Sequence, residues 1–340
     1  MATFSIVIAA SAVDSALTDE VVRVSTLSVG STVNAAIFTA DTGSGADVWA
    51  SSDEAGTSRI GLKLVYWDDG SSEFAVDIAA ASLSSVSDTT VYLQVGSKPA
   101  GDVDPYPSTA EGAWPLMADF DDDTANGNNG TAIGGVTAGG ATGPDGVLPA
   151  TTLKDAYIYV GSMASLKGVA KVSFSGWMKV SSTFSAHQSL LASRDNWDNY
   201  TILGFNNNDY WWHVEDNNVK TTIITGTASS GTWYHLAGVF DGGTGEVWAN
   251  GVSVGTDSSG PALTPTTSNG YQIAKLKGGE PNNLCDVGGV TAYSSARSAA
   301  SFNLEYLLAG SNGDTYITAA EVATFNPAWA LNSNVLIGAA

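Results

Sequence analysis

Short stretches in which apolar and polar residues alternate run through most of the chain, and this pattern constrains its fold most strongly. The clearest stretches are Glu20–Thr26, Ile60–Trp67, Glu73–Ile78, Thr90–Val95, Val172–Met178, Trp233–Phe240, Gly245–Ala249 and Val287–Tyr293. Such alternation places successive side chains on opposite faces of a β-strand. Asp-Gly and Asn-Gly pairs between the stretches suit tight hairpin turns. The sequence therefore predicts an all-β protein built from β-sandwiches.

Helix signals are few. Ser298–Ala309 is the strongest candidate, because Ser298 or Ser301 can cap its start and Gly310 follows its last turn. A second candidate is Thr318–Thr324, where a threonine followed three residues later by a glutamate forms a capping box. The first sixteen residues lack the basic start and the long apolar run of a signal peptide, so we expect a β-strand there, with a signal peptide as the alternative.

Charge and cysteine content exclude several classes of protein. The chain has 34 acidic and 13 basic residues, which gives a formal net charge of −21. Proteins that bind nucleic acids neutralise phosphates with Lys and Arg, so we expect no nucleic-acid partner. No apolar run approaches the length of a membrane span, and we expect no membrane insertion. The single cysteine, Cys285, excludes a disulfide within the chain and a zinc site made of several thiolates.

A proline-rich segment divides the chain. Pro99–Pro115 holds four of the ten prolines, which is typical of a linker. We predict an N-terminal β-sandwich over residues 1–98, a linker over 99–115, a larger β-sandwich over 116–309 and a C-terminal extension over 310–340. The end of the extension, Phe325–Ala340, is apolar and nearly uncharged. We expect it to dock on its own domain or on a neighbouring subunit, because an exposed apolar tail promotes aggregation.

The larger domain carries a series of motifs in order along the chain. They are Ala118–Gly135, Ala156–Val160, Val172–Val180, Gly231–Asp241, Gly245–Val254 and Leu284–Ala300. The series resembles the concanavalin A-like, laminin-G-type lectin family, and this resemblance implies a two-sheet jelly roll. The first domain, through Gly45–Trp67 and Thr89–Gly96, is similar to a small bacterial β-sandwich of unknown function that precedes such lectin-like domains. The pair of modules resembles structural proteins of tailed bacteriophages.

These resemblances imply a function. We expect a non-enzymatic structural protein of a phage particle, as a head decoration, a head fibre or a tail-associated protein. Its lectin-like domain would face outward at the virion surface and hold host-surface glycans. Its partners would be other capsid or tail proteins and further copies of itself in a homo-oligomer such as a trimer. The alternative is a secreted or surface-anchored bacterial glycan-binding adhesin, and a third, disfavoured alternative is a glycosidase.

Catalytic patterns are missing from the sequence. Glycosidases that share this sandwich place carboxylates at alternate positions of one strand, so that acid and nucleophile lie about 5 Å apart. The segment Glu246–Asn250 has only one carboxylate, and the neighbouring Glu215 and Asp216 face opposite sides of a strand. There is no G-x-S-x-G elbow, and the histidines do not have the spacing of a zinc protease. We expect no catalytic residues, and we expect His235 to pack in the core.

An acidic segment raises the question of calcium. Asp119–Asn129 concentrates oxygen ligands, which suit a hard cation. In lectin-family sandwiches an early loop and an aspartate on a late strand often hold calcium, and the resemblance assigns Asp286 as that aspartate. The hypothesis is one structural calcium held by Asp286 with Asp121, Asp123 and Asn126. The alternative is a solvated acidic turn.

Aromatic residues concentrate among Asn and Asp side chains at Asp195–Tyr200 and Asn206–Asp216. Sugars pack their C–H groups on aromatic rings while amides and carboxylates bind their hydroxyls. The candidate ligand-binding residues are Trp197, Tyr200, Asn207, Tyr210, Trp211 and Trp212. Because neighbouring residues of a strand face opposite sides, we expect either Trp211 or Trp212 to lie in the core. Glycan contact, protein contact and plain packing remain alternatives for this patch.

Overall fold

A computed structural model of the chain describes residues 2–41, 43–180, 187–196, 199–266, 270–275, 285–310 and 313–322. The N-terminal elements are β1 (Ala2–Ile8), β2 (Leu17–Ser25), α1 (Thr26–Ala40), β3 (Val48–Ser51), β4 (Arg59–Ile60), β5 (Leu62–Asp68), β6 (Glu73–Leu83) and β7 (Thr89–Val95). The elements of the larger domain are β8 (Ala110–Trp114), β9 (Thr131–Thr142), β10 (Pro149–Tyr159), β11 (Lys171–Val180), β12 (His187–Asn196), β13 (Asn199–Asn206), β14 (Asp209–Asp216), β15 (Val219–Thr225), β16 (Trp233–Asp241), β17 (Thr244–Ala249), β18 (Val252–Asp257), β19 (Tyr271–Ile273) and β20 (Cys285–Tyr293). The C-terminal elements are α2 (Ala299–Ala309), α3 (Gly313–Tyr316) and β21 (Ile317–Glu321). The all-β prediction is confirmed.

The larger domain folds one long antiparallel ladder into two facing layers. The strand order is β15-β14-β13-β12-β19-β10-β20-β11-β16-β17-β18, with β9 beside β10 and β8 beside β20. The first layer runs from β15 to β10 and the second from β20 to β18, because β14 and β15 contact β17 and β18 across the core. Trp114, Phe174, Phe205, Trp212 and Phe240 are fully buried between the layers. This is the architecture of a jelly roll.

The boundary of the larger domain differs from the prediction. The predicted linker over residues 99–115 included Ala110–Trp114, but in the structure this segment is β8 and pairs with β20. Its Trp114 is fully buried in the core between the layers. The proline-rich composition used to predict the linker therefore extends into a segment that belongs to the sheet of the larger domain.

The N-terminal domain packs two sheets and a helix around its own core. Its sheets have the strand orders β21-β1-β7-β3-β4 and β2-β6-β5. Helix α1 was not predicted, because its serines, threonines, valines and glycine have low helix propensity. It forms because Val29, Val33 and Ile37 fall on one face and are buried in this core. The left-handed backbone of Gly30, with φ of 73°, interrupts its helical geometry.

The C-terminal segment returns to the N-terminal domain. The helix expected over Ser298–Ala309 is present as α2, and Ser298 Oγ accepts a hydrogen bond from Ser301 N at 3.1 Å. The prediction of a helix over Thr318–Thr324 is wrong, since β21 occupies that region and pairs antiparallel with β1. The edge of β1 offers a ladder of backbone hydrogen bonds, and Ile317 is buried there, so pairing outweighs the local capping signal.

Helix α2 lies between the two domains. Leu304 and Leu308 are buried in the N-terminal core, while Phe302 packs on Trp248 of β17 with ring centroids 5.0 Å apart. His235 of β16, expected in core packing, is buried beside this helix. No helix among the described residues is both long and apolar enough to cross a membrane.

Candidate functional site

The first layer of the jelly roll has an outer face, opposite the core, that carries several aromatic and polar side chains. In the antiparallel register Gly204 lies opposite Trp211, and Ile202 lies opposite His213. Residues that pair directly share a face. We define the outer-face cluster as the five side chains that the register brings together there from β13, β14 and β15, namely Tyr200, Trp211, His213, Glu215 and Thr222.

His213 is the centre of the outer-face cluster. Its Nε2 lies 2.9 Å from Glu215 Oε2, and its Nδ1 lies 2.7 Å from Thr222 Oγ1. The Tyr200 ring stacks on the imidazole, with centroids 4.2 Å apart and planes 9° apart. A carboxylate only accepts hydrogen bonds, so Nε2–H donates to Glu215 and Nδ1 accepts from the Thr222 hydroxyl.

The protonation of His213 follows from its surroundings. Burial lowers its pKa to about 4, although the neighbouring Glu215 carboxylate favours the proton. The imidazole is therefore neutral at pH 7, and the hydrogen-bonded chain from Thr222 through His213 to Glu215 holds the carboxylate in one position. A carboxylate held in this way keeps lone pairs that can accept further hydrogen bonds, although only 4% of Glu215 is exposed.

Two buried polar atoms on the outer face have no hydrogen-bond partner among the residues that the structure describes. They are Trp211 Nε1, on a side chain that is 4% exposed, and Gln272 Oε1, on a side chain that is 7% exposed. Gln272 pairs with Ala192, which in turn lies opposite Ile202, so both atoms belong to this face. An unmet buried donor or acceptor costs about 1–3 kcal/mol. A donor and an acceptor left open on one face are suited to a ligand that carries both kinds of group.

The structure separates the sequence-predicted ligand residues. Tyr200 and Trp211 belong to the outer-face cluster. Tyr210 and Trp212 lie in the core between the layers, where Trp212 packs edge-on against Phe174, so these two are corrected to core residues. One of the two adjacent tryptophans was expected in the core, and Trp212 is that residue.

The remaining predicted ligand residues lie elsewhere. Asn207 is exposed in the turn between β13 and β14, with a positive φ of 53°. Trp197 lies outside the described residues. Thr222 and Gln272 were not predicted from the sequence. Thr222 lies on the adjacent strand β15 and Gln272 on the more distant strand β19, and both join the face through strand pairing. The alternation of β15 could have indicated Thr222.

The predicted calcium ligands contact other protein groups. Asp286 Oδ1 accepts a hydrogen bond from Thr152 Oγ1 at 2.8 Å, and its Oδ2 lies 2.7 Å from Lys179 Nζ. Asp123 Oδ1 lies 3.3 Å from Lys63 Nζ. An ammonium group beside each of these carboxylates supplies the positive charge that a cation would supply.

The other two predicted ligands give no support for the site. The Asn126 side chain donates to the Ala110 carbonyl at 2.8 Å, and Asp121 is exposed. The described residues contain no group of three or more His, Cys, Asp or Glu side chains that could hold a metal ion. The donor set shown by the structure does not fit calcium, and the calcium site stays a prediction.

Asp123 gives the chain a specific pH dependence. Burial raises its pKa to about 7, while Lys63 opposes the shift. The folded state therefore holds this proton more tightly than the unfolded chain, whose aspartates titrate near about 4. The resulting stabilisation is present at low pH and is lost as the pH rises from about 4 to 7. We expect the drop in unfolding free energy between pH 4.5 and pH 7.5 to be smaller by about 1–3 kcal/mol in Asp123→Asn.

Urea unfolding at both pH values measures this effect. Asp121→Asn removes an exposed carboxylate from the same loop and is the matched control. An identical pH response of Asp123→Asn and the unchanged chain would show that Asp123 does not cause the effect.

Comparison with known proteins identifies the larger domain. The model of the concanavalin A-like lectin/glucanases superfamily, of the laminin G type, matches residues 152–301. The chain therefore contains a concanavalin A-like jelly-roll domain, as the sequence motifs predicted. No curated protein matches the chain.

Solved structures show distant similarity. Domain 4 of the extracellular arabinanase AbnA from Geobacillus stearothermophilus, in complex with arabinotriose, has 18% identity and a TM-score of 0.48, and the match covers 57% of this chain and 97% of that domain. The binding domain of botulinum neurotoxin serotype D has 12% identity and a TM-score of 0.46, with 58% and 50% covered. The sialidase of Trypanosoma rangeli has 12% identity and a TM-score of 0.44, with 74% and 44% covered. The match thus spans about half or less of the toxin domain and the sialidase.

Proposed function

We propose that the outer face of the jelly roll binds glycans. The observation that supports this most directly is the unpaired Trp211 indole N–H beside the stacked Tyr200 and His213 rings and the fixed Glu215 carboxylate. Aromatic surface for C–H groups, a carboxylate acceptor and an open N–H donor are the groups that recognise sugar hydroxyls and ring faces. The unpaired Gln272 carbonyl oxygen adds an acceptor on the same face.

We further propose that this face does not cleave its ligand. The neighbours of Glu215 on the face are His213 two residues earlier on β14, Tyr200 opposite it on β13 and Lys220 opposite it on β15. None of them is a carboxylate, whereas a retaining glycosidase needs a second one about 5 Å away. Release of reducing ends from polysaccharides, abolished in Glu215→Gln, would overturn this part of the proposal.

Replacing Tyr200 tests the proposed site. We expect Tyr200→Ala to weaken glycan binding about tenfold or more, because a stacked ring supplies both apolar contact and the support of His213. The measurement is binding to an array of bacterial surface polysaccharides, followed by calorimetry with the glycans that bind. Tyr92→Ala, at a half-buried tyrosine of β7 in the N-terminal domain, is the matched control. Equal binding by both variants would exclude the outer-face cluster.

For the biological setting we propose a structural protein of a phage particle, exposed at the virion surface. The resemblance of the two modules to tailed-phage proteins supports this proposal, and the strongly acidic chain is consistent with a protein that does not contact the packaged genome. Mass spectrometry of purified particles is the test. Many copies of the chain per particle are expected. Recovery from the cell envelope or the culture medium alone would favour the bacterial adhesin instead.

A further inference from the structure

A cavity of about 80 Å³ lies at the junction of the two domains. Its wall includes Arg23 and Asp77 from the N-terminal sheets, Trp177 and His235 from the jelly roll and Glu305 from α2. A water molecule in the liquid occupies about 30 Å³, so the cavity has room for about two or three of them. This volume limits any molecule bound there to a few non-hydrogen atoms.

His235 brings an unmet hydrogen-bonding atom to the wall of this cavity. The residue is 2% exposed, and its Nε2 lies 3.4 Å from Glu305 Oε2. Its Nδ1 is buried and has no hydrogen-bond partner among the residues that the structure describes. A carboxylate only accepts hydrogen bonds, so the neutral imidazole carries its proton on Nε2 and its Nδ1 needs a donor. In the protonated imidazole Nδ1 needs an acceptor instead.

The charged side chains of the cavity wall already have partners. Arg23 Nε and Nη2 each lie 2.8 Å from a carboxylate oxygen of Asp77. Glu305 Oε1 lies 2.9 Å from Arg297 Nη1, and its Oε2 accepts a hydrogen bond from Ser175 at 2.6 Å. A charged molecule in the cavity would leave water without gaining a free counter-charge, which is unfavourable. The wall therefore favours a neutral molecule.

We propose that the junction cavity is a binding site for a cluster of about two or three water molecules, one of which forms a hydrogen bond with His235 Nδ1. Water is neutral and fits the volume. It also donates and accepts hydrogen bonds, so it satisfies Nδ1 in either protonation state of the imidazole.

The cluster would connect the two domains. Arg23 belongs to β2 of the N-terminal domain, and a Cβ added at Gly289 of β20 would lie 3.4 Å from its Nη1. The guanidinium therefore lies against the jelly roll, in the wall of the cavity that His235 also lines. Water that bridges two polar groups is nearly as favourable in enthalpy as a direct hydrogen bond. We expect the cluster to link Arg23 of one domain with His235 of the other.

A high-resolution crystal structure of the full chain tests the proposal directly. We expect an ordered water oxygen about 2.7–3.2 Å from His235 Nδ1, hydrogen-bonded in turn to further water or to Arg23. A cavity without ordered water would overturn the proposal, and so would a protein group or a molecule other than water bound to Nδ1.

Cross-relaxation between water and backbone amides, measured by NMR, tests the same site in solution. In the unchanged chain we expect cross-peaks from long-lived water at the amides of residues 289–291, which line the cavity. His235→Phe removes the acceptor and should lose most of this intensity. His213→Phe replaces the equally buried histidine of the outer-face cluster and should keep it. Cross-peaks that are absent from the unchanged chain, or equally strong in both variants, would overturn the assignment to His235.

Discussion

Replacing Ile317 with aspartate is expected to unfold the N-terminal domain although the substitution lies near the C-terminal end of the described chain. Ile317 is 1% exposed, lies opposite Ile8 in the pairing of β21 with β1 and belongs to the N-terminal core. The variant removes a large apolar side chain and buries a carboxylate without a partner. Together these effects cost about 3–5 kcal/mol, which is a large part of the stability of a typical domain.

Hydrogen exchange separates this effect from general unfolding. Amides of β1 and β7 should lose protection in Ile317→Asp, while those of β13 and β14 in the jelly roll keep it. Thr318→Asp introduces the same charge at the next, exposed position and should change stability by less than about 0.5 kcal/mol. Retained protection of β1 in Ile317→Asp would mean that β21 contributes little to the N-terminal sheet.

Removing the Arg297 side chain is expected to destabilise the contact between the two domains by about 3–5 kcal/mol, because the buried Glu20 and the partly buried Glu305 lose their counter-charge. Arg297 contacts Glu20 of β2, and its Nη1 lies 2.9 Å from Glu305 Oε1 on α2. Glu305 Oε2 accepts a hydrogen bond from Ser175 of β11 at 2.6 Å. The network therefore joins the N-terminal domain, the C-terminal helix and the jelly roll.

The pH dependence of Arg297→Ala distinguishes lost charge from lost packing. Burial raises the pKa of Glu20 despite Arg297, whereas Arg297 and His235 hold the pKa of Glu305 low against its burial. Without the guanidinium both values should rise, so the variant should lose less stability at pH 4.5 than at pH 7.5.

Denaturant unfolding of Arg297→Ala at the two pH values measures this difference. Lys171→Ala removes an exposed ion pair with Asp241 and should cost less than about 1 kcal/mol at either pH. A loss in Arg297→Ala that is the same at both pH values would indicate packing rather than charge.

Local signals predicted some elements and failed for others. Ser298 begins α2 because an N-cap acts within one turn, and the motifs from Ala156 to Ala300 follow alternation that each strand carries by itself. Thr318 carried an equally local capping signal, yet its segment pairs as β21 with a strand more than three hundred residues earlier. Propensity alone cannot weigh a local cap against a distant sheet edge.

The candidate site shows the same division. The sequence predicted the aromatic patch and placed one of two adjacent tryptophans in the core, because alternation separates neighbours in any strand. Only the packing of β14 against the second layer decided that Trp212 lies in the core between the layers and that Trp211 lies on the outer face with Tyr200 and His213. The alternation of a strand separates its two faces but does not show which face is buried until one of them packs against a core.

By itself, therefore, the sequence determined the all-β class, the jelly-roll motifs and the acidic character of the chain, since these depend on composition and short-range order. The tertiary structure alone decided that the C-terminal strand completes the N-terminal sheet, that Asp286 and Asp123 face lysines, and that Gln272 joins the outer face. Each of these contacts joins elements from different parts of the chain, and strand pairing and burial, not sequence order, bring them together.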